Sequence, residues 1–341
     1  TISTITTFTN SSGATLTVPA LQTISSVGTF TNNAATLNFP SLTSMTSTGF
    51  NNSASCTTNF NAASTISMTG TITNSGTIAF TSGATANLSP TTLTNNSGAT
   101  ITLPNTATLS NITTLTNAGT ISTGSSSSLT MSGITTFSNT GTLTLPATQT
   151  ITLASGGTFT NSGTISSQTN NLTFATASGT STVTQSSTGT IGGSDLSLTI
   201  GNGTTFSYYK NTNWSFENLT INSGGTLTHG QNSSSKAYVI DFTLSGNLTV
   251  NSGGFINVNG KGYTGCNGAG VGGGGYYKQY YSGGAGYGGS GGIGRYDATH
   301  YANGGSAYGS STEPADLGSS GGGGSICPPK AYGSNGGGAT K

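Results

Sequence analysis

Thr158-Phe159-Thr160-Asn161-Ser162-Gly163-Thr164-Ile165 is the stretch on which the fold turns. An apolar residue, a Thr, an Asn, a small turn and a new alternating segment follow one another in this short span. The same order appears as Phe8-Thr9-Asn10, Phe30-Thr31-Asn32, Phe50-Asn51-Asn52 and Ile72-Thr73-Asn74. It continues as Leu93-Thr94-Asn95, Leu115-Thr116-Asn117 and Phe137-Ser138-Asn139. The intervals between successive copies are 22, 20, 22, 21, 22, 22 and 22. Alternation within each copy has the period of two that belongs to a strand, as in Thr142-Leu143-Thr144-Leu145, and helical periodicity is absent.

A repeat of about 22 residues is one coil of a β-solenoid, each coil holding two or three short parallel strands. One coil cannot bury its own apolar face, but stacked coils build a continuous core. At ~4.8 Å per coil, about ten coils make a rod of roughly 50 Å. The predicted fold is therefore all-β, a parallel solenoid with an irregular C-terminal region. Phe8, Phe30, Phe50, Ile72, Leu93, Leu115, Phe137 and Phe159 are expected to stack inside it. Asn10, Asn32, Asn52, Asn74, Asn95, Asn117, Asn139 and Asn161 are expected to form a ladder of amides bonded from coil to coil. Gly follows the Asn at Gly13, Gly76, Gly98, Gly119, Gly141 and Gly163, where a positive φ is the expected reason. Pro19, Pro40, Pro104 and Pro146 close the next strand. Val183, Phe206, Leu227 and Leu248 carry the apolar column on with looser spacing.

The chain has 341 residues, seven Lys plus Arg and six Asp plus Glu. Only 4% of residues are charged, against about 25% in an average domain. The first charged side chain is Asp195. Such a chain lacks the clustered cations that bind nucleic acid, and most of the groups that do acid–base catalysis. No enzyme and no cofactor is expected. No apolar run reaches the ~18 residues of a membrane-spanning helix. The chain opens without Met or an apolar leader, as a processed form or an internal fragment would.

Two regions depart from the repeat. Tyr208, Tyr209 and Trp214 form an aromatic cluster, which reads either as a platform for stacking a sugar or as a bulged coil packed on the solenoid. From Gly260 onward stand more than half of the chain's 55 Gly and ten of its thirteen Tyr. We therefore divide the chain into a solenoid over 1–259, regular to about 180, and a Gly/Tyr-rich region over 260–341. The latter reads as ordered, glycine-packed loops anchored by Tyr rather than as a linker. A bridge between Cys266 and Cys327 would close this region and stabilise it by roughly 4 kcal/mol; two free thiols is the other reading. Cys56 reads as a buried small hydrophobe. Asp195, Glu217 and Asp241 are spaced so that a carboxylate stack, or a weak calcium site, could form on successive coils. No metal ligand set is evident, and His229 and His300 are isolated.

Coils of the type "TFTNSGTI" resemble the repeats of secreted bacterial β-solenoid proteins, the filamentous-haemagglutinin-like and autotransporter-type adhesins. "LTVNSGGFINVNG" at Leu248–Gly260, with the Gly-rich stretch after it, is similar to Gly-rich surface proteins of environmental bacteria. The resemblance implies an extracellular or cell-surface location and a fibrous or adhesive role. It assigns no catalytic residue. The function expected is a structural subunit of an extracellular filament or surface layer, joined head to tail to copies of itself through open solenoid edges. The alternative is a stalked adhesin or phage-type fibre tip binding glycans through Gly/Tyr loops, with solvent-facing tyrosines as its mark. Thr-x-Thr also recurs, as on ice-binding surfaces, but its positions are expected not to align from coil to coil.

Overall fold

The computed structural model describes residues 1–341 except 12, 14, 61–64, 82, 125–126, 167–169, 194, 278, 313–314, 324–334 and 341. All the regular elements among the described residues are strands, and no helix among them is long and apolar enough to cross a membrane. The chain divides into two compact units. The first takes Thr1–Thr205, Phe216–Gly225 and Leu244–Gly254; the second takes Phe206–Ser215, Thr226–Thr243 and Phe255–Lys341.

The first unit is the parallel β-solenoid. Each regular coil contributes three strand segments, and each segment pairs in parallel with its equivalents in neighbouring coils. One column aligns Phe8, Phe30, Phe50, Ile72, Leu93, Leu115, Phe137 and Phe159 residue for residue. From Phe30 onward these side chains are fully buried, while Phe8 in the first coil is half-buried. Leu37, Thr58, Ile78, Ile101, Ile121, Leu143 and Ile165 form a second column. A third runs through Met68, Leu88, Leu109, Met131, Ile151 and Phe174. The alternation in each strand places one set of side chains in and the other out, which is why Thr lines the outside of strands whose insides are Leu, Ile and Phe.

The asparagines form the expected ladder. Each Nδ2 donates to the Oδ1 of the next coil: Asn10 to Asn32 (3.0 Å), Asn32 to Asn52 (3.1 Å), Asn52 to Asn74 (2.9 Å) and Asn74 to Asn95 (2.9 Å). Asn95 to Asn117, Asn117 to Asn139 and Asn139 to Asn161 follow, each at 2.8 Å. The second amide proton is used as well. Asn117 Nδ2 also donates to the Thr142 carbonyl at 2.9 Å, and Asn95 Nδ2 to that of Thr120 at 3.0 Å. The amides thus tie two strand columns together at a buried corner. Gln185 extends the ladder by one rung, accepting from Asn161 at 2.9 Å.

Two expectations need correction. Gly76, Gly119, Gly141 and Gly163 do not have positive φ, although Gly98 does (φ 77°). Close approach requires them instead. A Cβ on Gly141 would lie 2.0 Å from the Gly119 carbonyl oxygen, and one on Gly163 2.1 Å from that of Gly141. Most left-handed residues of the solenoid sit elsewhere on the coil, Ser26, Gly70, Asn111 and Gly133 among them. The second correction concerns Leu248. It pairs with Leu219, while Leu227 pairs with Ile256. An inserted loop lengthens this coil and carries Leu248 into another column.

The second unit holds glycine-packed chain segments. Gly286 donates its N–H to the Gly270 carbonyl (2.7 Å), Gly305 to Gly284 (2.9 Å) and Gly322 to Gly283 (3.0 Å). A Cβ on Gly305 would stand 1.9 Å from the Gly270 oxygen, and one on Gly291 2.1 Å from that of Gly284. Only backbone fits between these segments. Cys266 is disulfide-bonded, whereas Cys56 is free and buried; Cys327 lies outside the described residues.

Candidate binding surface

Glycine packing leaves large side chains of the second unit on its surface. Gly274–Tyr277 and Gln279–Ser282 form an antiparallel hairpin in which Tyr276 faces Tyr280 across the strands. Their ring centroids are 4.8 Å apart, and the residues are 57% and 50% exposed. Beside them in the hairpin, the Tyr281 ring covers Gly275, where a Cβ would be 2.2 Å from the ring. A second hairpin pairs Gly294–Arg295 with Tyr301–Ala302. Tyr296 and Tyr301 are exposed, and the Arg295 guanidinium stands 6.0 Å from the Tyr301 ring centroid.

The turn of this second hairpin is held by Asp297. Its Oδ1 accepts from the Thr299 amide (2.8 Å), the Thr299 hydroxyl (2.9 Å) and the His300 amide (2.8 Å), and His300 Nδ1 lies 2.9 Å from Oδ2. Desolvation opposes ionisation, but these hydrogen bonds outweigh it and hold the carboxyl far below its usual range. A hollow of about 360 Å³ in this unit is lined by Tyr287, Asp316, Gly318 and residues 337–340, and Asp316 pairs with Lys236 at 3.3 Å.

The aromatic platform is corrected. Tyr208 is 1% exposed and offers no face to a sugar. It stacks on Trp214 at 5.7 Å and 8°, meets the edge of Phe242 at 5.1 Å, and donates its hydroxyl to the Thr212 carbonyl at 3.0 Å. Burial pushes its pKa up to about 12. Trp214 is half-buried between Phe206 and Phe242, and Tyr209 packs edge-on to Tyr238. The cluster is a core, because an inserted loop folds its aromatic residues inward.

Nor do the acids stack. The register of Ser197 on Asn218 sets Glu217 beside Leu196 rather than Asp195, and Asp241 accepts from Asn213. Among the described residues no group of three or more His, Cys, Asp or Glu could hold a metal ion. His229 is fully buried. Its Nδ1 donates to the Gly230 carbonyl (2.8 Å), and its Nε2 accepts from the Ala339 amide (3.2 Å). Burial, joined by the Lys261 charge, lowers its pKa against the pull of the Gly230 contact, which fits this neutral tautomer. Asn232, also buried, accepts from the Ala237 and Tyr238 amides and donates to the Tyr238 and Lys261 carbonyls, fixing the inserted loop.

The BigA fourth-domain family model matches residues 55–266, more than half of the chain. The chain belongs to the BigA fourth-domain family. No curated protein and no solved structure matches it. Membership of the BigA fourth-domain family, together with the solenoid, fits a bacterial surface or adhesin-type protein. The match covers most of the solenoid coils and ends at Cys266, before the two exposed hairpins.

Proposed function

We propose that this chain is a non-catalytic adhesin of the bacterial cell surface, and that the tyrosines of its second unit contact glycans. The observation that carries this reading is the exposure of Tyr276, Tyr280, Tyr296 and Tyr301 on short hairpins in a glycine-packed unit. Tyrosine offers a flat apolar face and a polar tip at low entropic cost, which suits the C–H faces and hydroxyls of a pyranose. The chain is poor in charge, which limits nonspecific adhesion. Binding of the purified chain to an array of bacterial and host glycans tests this. Retention on a defined set, lost in a Tyr276→Ala/Tyr280→Ala variant that keeps its circular dichroism, supports it. Failure to retain any glycan, or retention unchanged in the variant, overturns it.

A second reading, a self-assembling filament subunit, is favoured by the solenoid's terminal coils. Leu248 and Val250 on the strand Leu248–Val250 are 52% and 44% exposed, and Leu16 in the first coil is also exposed. Strands with apolar side chains left open accept a further strand. Electron microscopy of the purified protein decides it: regular unbranched fibres support a head-to-tail polymer, and isolated particles at high concentration exclude one.

A further inference from the structure

The outside of the Phe/Asn column carries two rows of hydroxyls. Thr71, Thr92, Thr114, Thr136, Thr158 and Thr182 align in one row, and Thr73, Thr94, Thr116, Ser138, Thr160 and Thr184 in the other. Every member but Ser138 is Thr. The expectation that Thr-x-Thr would not align is overturned: coil lengths vary, but the extra residues go into turns and bulges, so the strands stay in register. All members are half-buried or exposed.

The rows make a two-dimensional lattice. Members of one strand are ~6.6 Å apart and neighbouring coils ~4.8 Å apart, so six coils span about 24 Å. Thr is stiff at χ1, which fixes its methyl and hydroxyl relative to the backbone. No Asp, Glu, Lys, Arg or His occurs before Asp195 to hold a competing hydration shell. Another face of the same coils also carries one row of Thr (Thr36, Thr57, Thr77, Thr100, Thr120 and Thr142). Its second row is mixed, Asn38, Asn59, Ala79, Thr102, Ser122 and Thr144, so the Phe/Asn face differs in keeping Thr or Ser at every position of both rows. A sugar ring stacks on a flat aromatic face, which these rows lack. A long, uncharged array of evenly spaced hydroxyls and methyls matches instead a partner that is itself a lattice of hydroxyl oxygens.

We propose that this Thr face binds the surface of ice. Each contact is weak, but a rigid array presents them together with little ordering cost. The inference is independent of the glycan reading, since it uses a different unit and different residues.

The test is partition of the fluorescently labelled full chain into slowly growing ice. The wild type is expected to enter the ice and to slow its recrystallisation. Thr116→Lys, at the centre of the array, should lower ice enrichment about tenfold, because it breaks simultaneous contact. Thr158→Lys provides a second variant should the first fail to fold, as judged by circular dichroism. Thr102→Lys, on the other face, should leave partition unchanged. Exclusion of the wild type from ice overturns the proposal. So does an equal loss in Thr102→Lys, or retention on crystalline cellulose or chitin without any entry into ice.

Discussion

Asn117 shows what a single ladder residue does. Its amide accepts from Asn95 and donates to Asn139 and to the Thr142 carbonyl, all out of water. Asn117→Ala takes a partner from the Asn95 amide and strands the acceptor of Asn139. Because unpaired buried groups cost more than a net hydrogen bond returns, a loss of about 1–3 kcal/mol is expected in urea unfolding. Gln149 is the opposite case. It is buried opposite Leu172, and its Oε1 has no hydrogen-bond partner. Gln149→Leu should raise stability by about 1 kcal/mol in the same assay, since it removes an orphaned carbonyl from an apolar column. The ladder residues are legible in the sequence because Asn recurs two positions after an apolar residue. Gln185 is harder to see, because it holds the same place with a longer side chain and after a longer interval.

Elements are set by how closely coils approach. Gly141 touches the preceding coil, so any side chain there must push backbone apart. Overpacking of this kind costs about 1–3 kcal/mol. Gly98 has open space around its Cβ position, and its constraint is the positive φ of 77°. Asn adopts that left-handed conformation more readily than other residues with a side chain. Gly98→Asn should therefore be close to neutral, whereas Gly141→Asn should be clearly destabilised. Thermal midpoints of the two variants check the contrast. The sequence marks both positions as turn glycines and cannot tell them apart, since the difference lies in the coil beneath. The same holds for aromatic stacking. Phe39, Phe60 and Phe80 stack at 5.7 and 4.9 Å in a second aromatic column that the Phe–Asn repeat does not reveal. Their spacing follows from pairing in a different strand column.

Across the whole molecule, the two units differ in how they answer to pH. Residues 1–194 hold no Asp, Glu, Lys, Arg, His or Tyr, and burial pushes the pKa of their one thiol, Cys56, upward, so most of the solenoid has nothing to titrate between pH 5 and 7.5. The second unit buries neutral His229, whose pKa is lowered from 6.5. The unfolded chain therefore binds a proton that the folded unit refuses. Stability from this group is complete above the unfolded value and is lost as pH falls from there through the lowered folded value. Calorimetry at pH 7.5 and 5.0 should show a lower midpoint for the second unit at pH 5.0 and little change for the solenoid. His229→Gln should flatten that dependence.

Repetition along the chain is enough to specify the solenoid, its coil length, its apolar column and its Asn ladder. Each of these is a local pattern recurring at one interval, and stacking turns an interval into a column. The remaining features follow from contacts between segments far apart in the chain. Folding buried Tyr208 and half-buried Trp214, which the sequence leaves open as a platform or a packed bulge, because an inserted loop folds its aromatic residues inward. It set Leu248 opposite Leu219, because a longer coil changed the register. It also brought the Thr rows into alignment, because hydrogen bonding between strands fixes their register while turns absorb differences in length.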